Sequence, residues 1–129
     1  MSPASPVALV LVAAGGASGA VLRHLLGVLC LMWFGTAWPW ATLIVNVSGS
    51  AVIGFLTGLA VGPLVLSDAM RLFLVTGVLG GFTTFSAFSL DTGSLAQRSG
   101  VAAFAYVALT VGLGLSAFFI FLTLGRRLA

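Results

Sequence analysis

Long apolar runs alternate with short polar interruptions along this chain, and the runs have bilayer length. Residues 7–34, 41–61, 70–91 and 101–124 are each dominated by Ala, Val, Leu, Ile, Phe and Gly. About 20 helical residues cross a hydrocarbon core of roughly 30 Å, so the pattern predicts four transmembrane helices in a single membrane domain. Arg23-His24 interrupts the first run. Arg23 must snorkel to an interface or face a water-filled vestibule. Gly15 and Gly19 form a small-xxx-small pair that lets another helix approach closely. Ala17-Ser18-Gly19-Ala20 has the small residues of a signal-peptidase site, but no basic side chain precedes it, so the run is expected to be retained. Trp38-Pro39-Trp40 reads as an interfacial aromatic belt with a proline turn, and Gly62-Pro63 is expected to stop the second helix. Between them, Thr42, Asn46, Ser50, Gly54 and Gly58 fall at steps of four and make one slanted stripe.

The third run is a poor helix. Gly80 and Gly81 each cost about 1 kcal/mol relative to Ala, and the β-branched pair Thr83-Thr84 follows them. A membrane span tolerates such a break only where the released backbone groups are buried in protein or line a polar cavity. A helix resuming after the break would carry a hydroxyl stripe of Thr83, Ser86 and Ser89 beside an aromatic stripe of Phe82, Phe85 and Phe88. The segment to Asp91 is the expected functional centre, and a loop is expected from Asp91 to Gly100.

Composition supports the membrane reading and removes most chemistry. Of 129 residues 60% are hydrophobic and 5% charged, against about 25% charged in soluble domains. Five Arg and two Asp are scattered, which gives no nucleic-acid footprint. One Cys and one His leave no internal disulfide and no zinc cluster. No acid pair or phosphate loop supports an enzyme. Four spans put Arg71, Arg126 and Arg127 on one side against Arg98, with Arg23, on the other. This bias is weak enough for insertion both ways round. A single orientation with sparse charges fits equally well.

The polar groups left inside the spans are neutral donors: Asn46, Thr83, Ser86, Ser89, Tyr106 and Thr110. Each also has a structural reading. Asn46 can join helices, the hydroxyls can bond carbonyls one turn back, and the Phe stripe can be packing. Taken together the inventory suits an anion, and aromatic edges add weak anion contact. Carbonyls freed at the break are the exception, because they suit a cation. A proton-coupled multidrug exporter needs a membrane-embedded carboxylate, and none lies inside the first three runs. A non-transporting scaffold would leave the donors around a broken helix unexplained.

Three stretches are specific: Gly-Ala-Ser-Gly-Ala-Val-Leu-Arg23, Trp38-Pro39-Trp40-Ala-Thr-Leu-Ile-Val-Asn46, and Gly77-Val-Leu-Gly-Gly-Phe-Thr-Thr-Phe-Ser-Ala-Phe-Ser89. Together they resemble the CrcB/Fluc family of small bacterial fluoride channels over nearly the whole chain. The resemblance implies an all-α protein of the bacterial inner membrane that exports fluoride as an antiparallel, dual-topology homodimer. It implies a structural sodium ion held by the backbone carbonyls of Gly80 and Thr83. Asn46 would be the pore amide, with Phe85 and Phe88 as rings beside the fluoride path and Ser86 on it. Arg23 would lie near the vestibule, and Tyr106 and Thr110 would begin a polar track on the fourth helix. The next track position, where a relative can carry Ser, is Gly114 in this sequence. Water or the nearby hydroxyl of Ser116 could compensate.

Overall fold

The computed structural model describes residues 2, 4–61 and 66–129, and every regular element among them is helical. The stop expected at Gly62-Pro63 lies outside the described residues. Four spans are long and apolar enough to cross a membrane: Pro6–Phe34, Trp40–Leu59, Asp68–Arg98 and Gly100–Leu128.

Helix α1 (Pro6–Phe34) starts where Ser5 accepts the Ala8 N–H at 3.2 Å and proline takes the first helical position. It runs unbroken through Arg23-His24, which interrupts the apolar run and not the helix. Gly35, at φ 71°, ends it and donates to the Leu31 carbonyl at 3.0 Å. Helix α2 (Trp40–Leu59) follows Pro39, and the Phe34 and Trp40 rings meet across the turn at 5.5 Å.

The third span is broken, as its sequence predicts. Helix α3, residues 68–82, is capped by Ser67, is wound as a π-helix over Arg71–Leu79, and closes with Gly80–Phe82. Thr83 and Thr84 are extended, with ψ of 157° and 123°. Helix α4 (Phe85–Arg98) then resumes. It continues well past Asp91, so the loop expected from Asp91 to Gly100 shrinks to one residue. The polar side chains in that stretch suit a helix because Thr92 and Ser94 donate to carbonyls one turn back, at 2.8 and 3.0 Å. Ser99 forms the corner. Its N–H bonds the Leu95 carbonyl at 2.8 Å and its hydroxyl accepts the Ala102 N–H at 3.2 Å, opening α5 (Gly100–Leu128).

Glycines set the packing. Helix α1 lies on α3, where a Cβ on Gly19 would strike the Val78 carbonyl and one on Gly15 would come within 2.9 Å of the Gly77 Cα. Helix α2 lies on α5, with Gly54 against the Phe118 carbonyl and Gly58 against Gly125. Lipid chains are as apolar as leucine, so burial drives little of this association and close van der Waals contact must supply it. Outer faces stay apolar and uncovered, Val101 and Phe104 being 81% and 76% exposed. One small core of Leu43, Leu95, Ala103 and Tyr106, flanked by Trp38, Val47 and Phe88, ties the start of α2 to α4 and α5.

Candidate functional site

The stripe on α2 divides along its length. Gly54 and Gly58 seat α5, Ser50 reaches the groove beside Gly114, and Asn46 faces the broken span. Asn46 brackets the break: its Nδ2 donates to the Thr84 carbonyl at 2.9 Å, and its Oδ1 accepts the Thr84 N–H at 2.8 Å. One side chain thus satisfies both backbone groups of a residue that has left the helix. These two bonds also fix which way the amide points. They occupy its acceptor and one of its two amide hydrogens, so the other hydrogen remains for the groove. Gly49 makes room at this level, since any Cβ there would strike the Thr83 methyl group.

Thr84 is the residue that sequence reading missed. It is buried, and its hydroxyl accepts the Ala87 N–H at 3.1 Å, capping α4 from mid-span. The Ser86 hydroxyl joins it at 3.2 Å. A threonine three residues before Ala87, following two glycines, was the available signal. The expected hydroxyl stripe of Thr83, Ser86 and Ser89 does not form. Thr83 lies before the resumed helix and donates to the Leu79 carbonyl at 2.9 Å, while Ser89 donates to the Phe85 carbonyl at 3.1 Å. Both hydroxyls are spent on their own backbone.

An open groove of about 490 Å³ runs between α2, the break, α4 and α5. Its walls bring together Asn46, Thr83, Phe85, Phe88 and Thr110, and no charged side chain lines it. Thr110 is 7% exposed, and its buried Oγ1 has no partner of good hydrogen-bond geometry among the described residues, the Tyr106 hydroxyl one turn back being its polar neighbour. Such an orphan costs about 1–3 kcal/mol, so a buried hydroxyl held in this way calls for a ligand or water. Tyr106, Ser86 and Arg23 do not line the groove. Tyr106 is wholly buried one turn before Thr110, and Arg23 is half-buried along α1.

Aromatic rings lead out of the groove. Phe85 is 79% exposed, and its ring lies 5.5 Å from that of Phe88. Phe88 lies 5.5 Å from Tyr106, and Tyr106 meets Trp38 edge-on at 5.8 Å. The series joins the mid-span break to the tryptophan belt. At its end the Tyr106 hydroxyl donates to Asp91 Oδ2 at 3.3 Å. Asp91 therefore sits on a helix and holds the buried phenol of this series.

Comparison with known proteins agrees with this geometry. Residues 10–123 match the family described as CrcB-like protein, Camphor Resistance (CrcB). The fluoride-specific ion channel FluC of Rhizobium meliloti (strain 1021) is 49% identical over 121 residues, covering 93% of this chain and 97% of the relative. Its namesake from Agrobacterium fabrum (strain C58 / ATCC 33970) is 52% identical over 120 residues, covering 92% and 95%. That of Rhodospirillum centenum (strain ATCC 51521 / SW) is 51% identical over 116 residues, covering 89% and 92%. Matched along almost all of its apolar length and half identical to these relatives, the chain belongs to the CrcB family.

Proposed function

We propose that this protein is a fluoride channel that lets cytoplasmic fluoride leave the cell down its electrochemical gradient. The groove carries this reading: it sets the Thr110 hydroxyl beside the Phe85 and Phe88 rings, and no charged side chain lines it. A small bare anion in a low-dielectric medium costs tens of kcal/mol, so it needs close donors along its path. A fixed cation would trap it, whereas neutral donors bind well enough for entry and weakly enough for exit. Relatives at about half identity are named fluoride-specific ion channels, which supports the choice of anion.

The assembly follows as part of the proposal. A groove open on one side cannot seal an ion from lipid, and Phe85 at 79% exposure has no cover within one chain. An inverted second copy in the bacterial inner membrane would close it, and the near-balanced arginines permit that arrangement. The break fits sodium at the centre. Asn46 takes the Thr84 N–H, which releases the Gly80 carbonyl from its helical partner. No group of three or more His, Cys, Asp or Glu lies among the described residues, so the donors on offer are neutral oxygens. The carbonyls of Gly80 and Thr83 would hold the ion as a structural group between the two copies.

Purified protein in liposomes loaded with fluoride tests the function, with chloride-loaded liposomes in parallel. Fluoride should escape, as read by a fluoride electrode, while chloride stays. Retained fluoride, or equal loss of both anions, would overturn the reading. A single cysteine placed at one terminus, with Cys30 replaced, should label from both faces of the membrane. Labelling from one face alone would exclude the inverted pair.

A further inference from the structure

Two hydroxyls of the groove make no hydrogen bond of good geometry among the described residues, and they stand on opposite walls. Thr110 is one, buried on α5. Ser50 on α2 is the other: it lines the groove and makes no hydrogen bond among the described residues. Most helical hydroxyls of this chain are spent on their own backbone, although Thr76 and Ser116, outside the groove, also make no such bond. Ser48 on the same helix donates to the Val45 carbonyl, and Thr57, Ser89, Ser94 and Thr123 all donate one turn back. Self-satisfaction is the ordinary outcome in a membrane helix, so a serine that forgoes it is free for something in the groove.

Opposite Ser50 stands Gly114. Tyr106, Thr110 and Gly114 follow at steps of four on α5, and all three are buried. The first two present hydroxyls, and the third presents none. A Cβ built on Gly114 meets one atom within 4 Å, the Ser50 Oγ at 3.6 Å. The α2 hydroxyl therefore occupies the space that a side chain at position 114 would enter. Ser116, two residues on, is exposed and does not line the groove.

We infer that Ser50 is a further donor of the ion path, supplying from α2 the hydroxyl that α5 lacks at Gly114. The inference rests on the fluoride reading above. Thr110 and Gly114 lie about 6 Å apart along α5, one helical turn, so an anion leaving Thr110 meets Ser50 at its next step. A hydroxyl carried on the opposite wall rotates about a single bond, so it can turn from its own helix to donate to the moving ion.

The test measures fluoride efflux from liposomes for Ser50→Ala, for Ser50→Ala with Gly114→Ser, and for Ser116→Ala. Loss of a hydrogen bond to a charged partner should slow Ser50→Ala at least about tenfold. The double variant moves the hydroxyl across the groove, and the room at Gly114 admits it, so flux should return to within about threefold of wild type, less than 1 kcal/mol. Ser116→Ala should conduct normally. Wild-type flux from Ser50→Ala would overturn the inference, as would a double variant no faster than the single. If Ser50→Ala does not assemble, Ser50→Thr and Ser50→Val carry the test, because they match in shape and differ by the hydroxyl. The Thr form should conduct and the Val form should not; equal rates refute the assignment. Failure of the wild-type protein to pass fluoride refutes the channel reading instead.

Discussion

Replacing Asn46 probes the joint on which the pathway is built. Asn46→Ala strands the Thr84 N–H and carbonyl, now bonded at 2.8 and 2.9 Å, beside a residue that is itself buried. Each stranded group costs about 1–3 kcal/mol, and groove water can restore part of it, so a net loss of about 2–4 kcal/mol is expected. Asn46→Asp removes less and harms more. The carboxylate still accepts the Thr84 N–H, but its second oxygen replaces a donor and faces the Thr84 carbonyl at the same spacing. It also sets negative charge on the groove wall, where repulsion of an anion in a partly desolvated site reaches several kcal/mol. Thermal unfolding in detergent reads the first effect, and fluoride efflux from liposomes reads the second. The Ala variant should melt earlier, and it should conduct about tenfold more slowly because it also removes the free amide hydrogen as a donor to the ion, a hydrogen bond to a charged partner being worth about 1.5–3 kcal/mol. The Asp variant should conduct more slowly still while melting no earlier than Ala. An Ala variant with wild-type melting and flux would show that the bracket does not hold the break. Equal flux from Ala and Asp would show that the ion passes elsewhere.

Phe85→Leu and Phe88→Leu keep apolar volume but remove the ring edge; each should reduce fluoride flux with the oligomer intact on size exclusion, and normal flux from both would remove the rings from the rate-limiting path. Gly19→Ala drives a methyl group into the Val78 backbone and should cost about 3 kcal/mol or more. Gly16→Ala, with nothing within 4 Å of the new carbon, should melt like wild type. Equal melting of the two would contradict the tight α1–α3 seam. Tyr106→Phe and Asp91→Ala should be coupled by about 1 kcal/mol in a double-mutant cycle of unfolding energies, with Asp91→Asn milder than Asp91→Ala because an acceptor remains; zero coupling would mean that the 3.3 Å contact is incidental.

What could be read from sequence was set by composition and backbone chemistry. Apolar runs of bilayer length gave the four spans, and Gly80-Gly81 with Thr83-Thr84 gave the break, because those residues weaken a helix wherever they stand. The step-of-four stripe on α2 was legible too, since helical geometry alone aligns it. Hydroxyl partners were not. Thr83, Ser86 and Ser89 share a spacing, but which carbonyl each meets depends on where the helix restarts, and Thr84 sets that by capping α4. Asp91 was misplaced for a related reason. Polar residues after it look like a loop until Thr92 and Ser94 are seen bonding their own helix. Ser50 shows the same limit from the other side: it lies on a visible stripe, yet its free hydroxyl and its position opposite Gly114 come from two helices packing together.

Current through a planar lipid bilayer tests the central claim most directly. With purified protein reconstituted, fluoride is placed at unequal concentrations on the two sides and chloride is graded in the opposite direction. A fluoride-selective channel should carry steady current that reverses at the equilibrium potential of fluoride. Reversal at the chloride potential, or no current from protein that is folded and inserted, would contradict it.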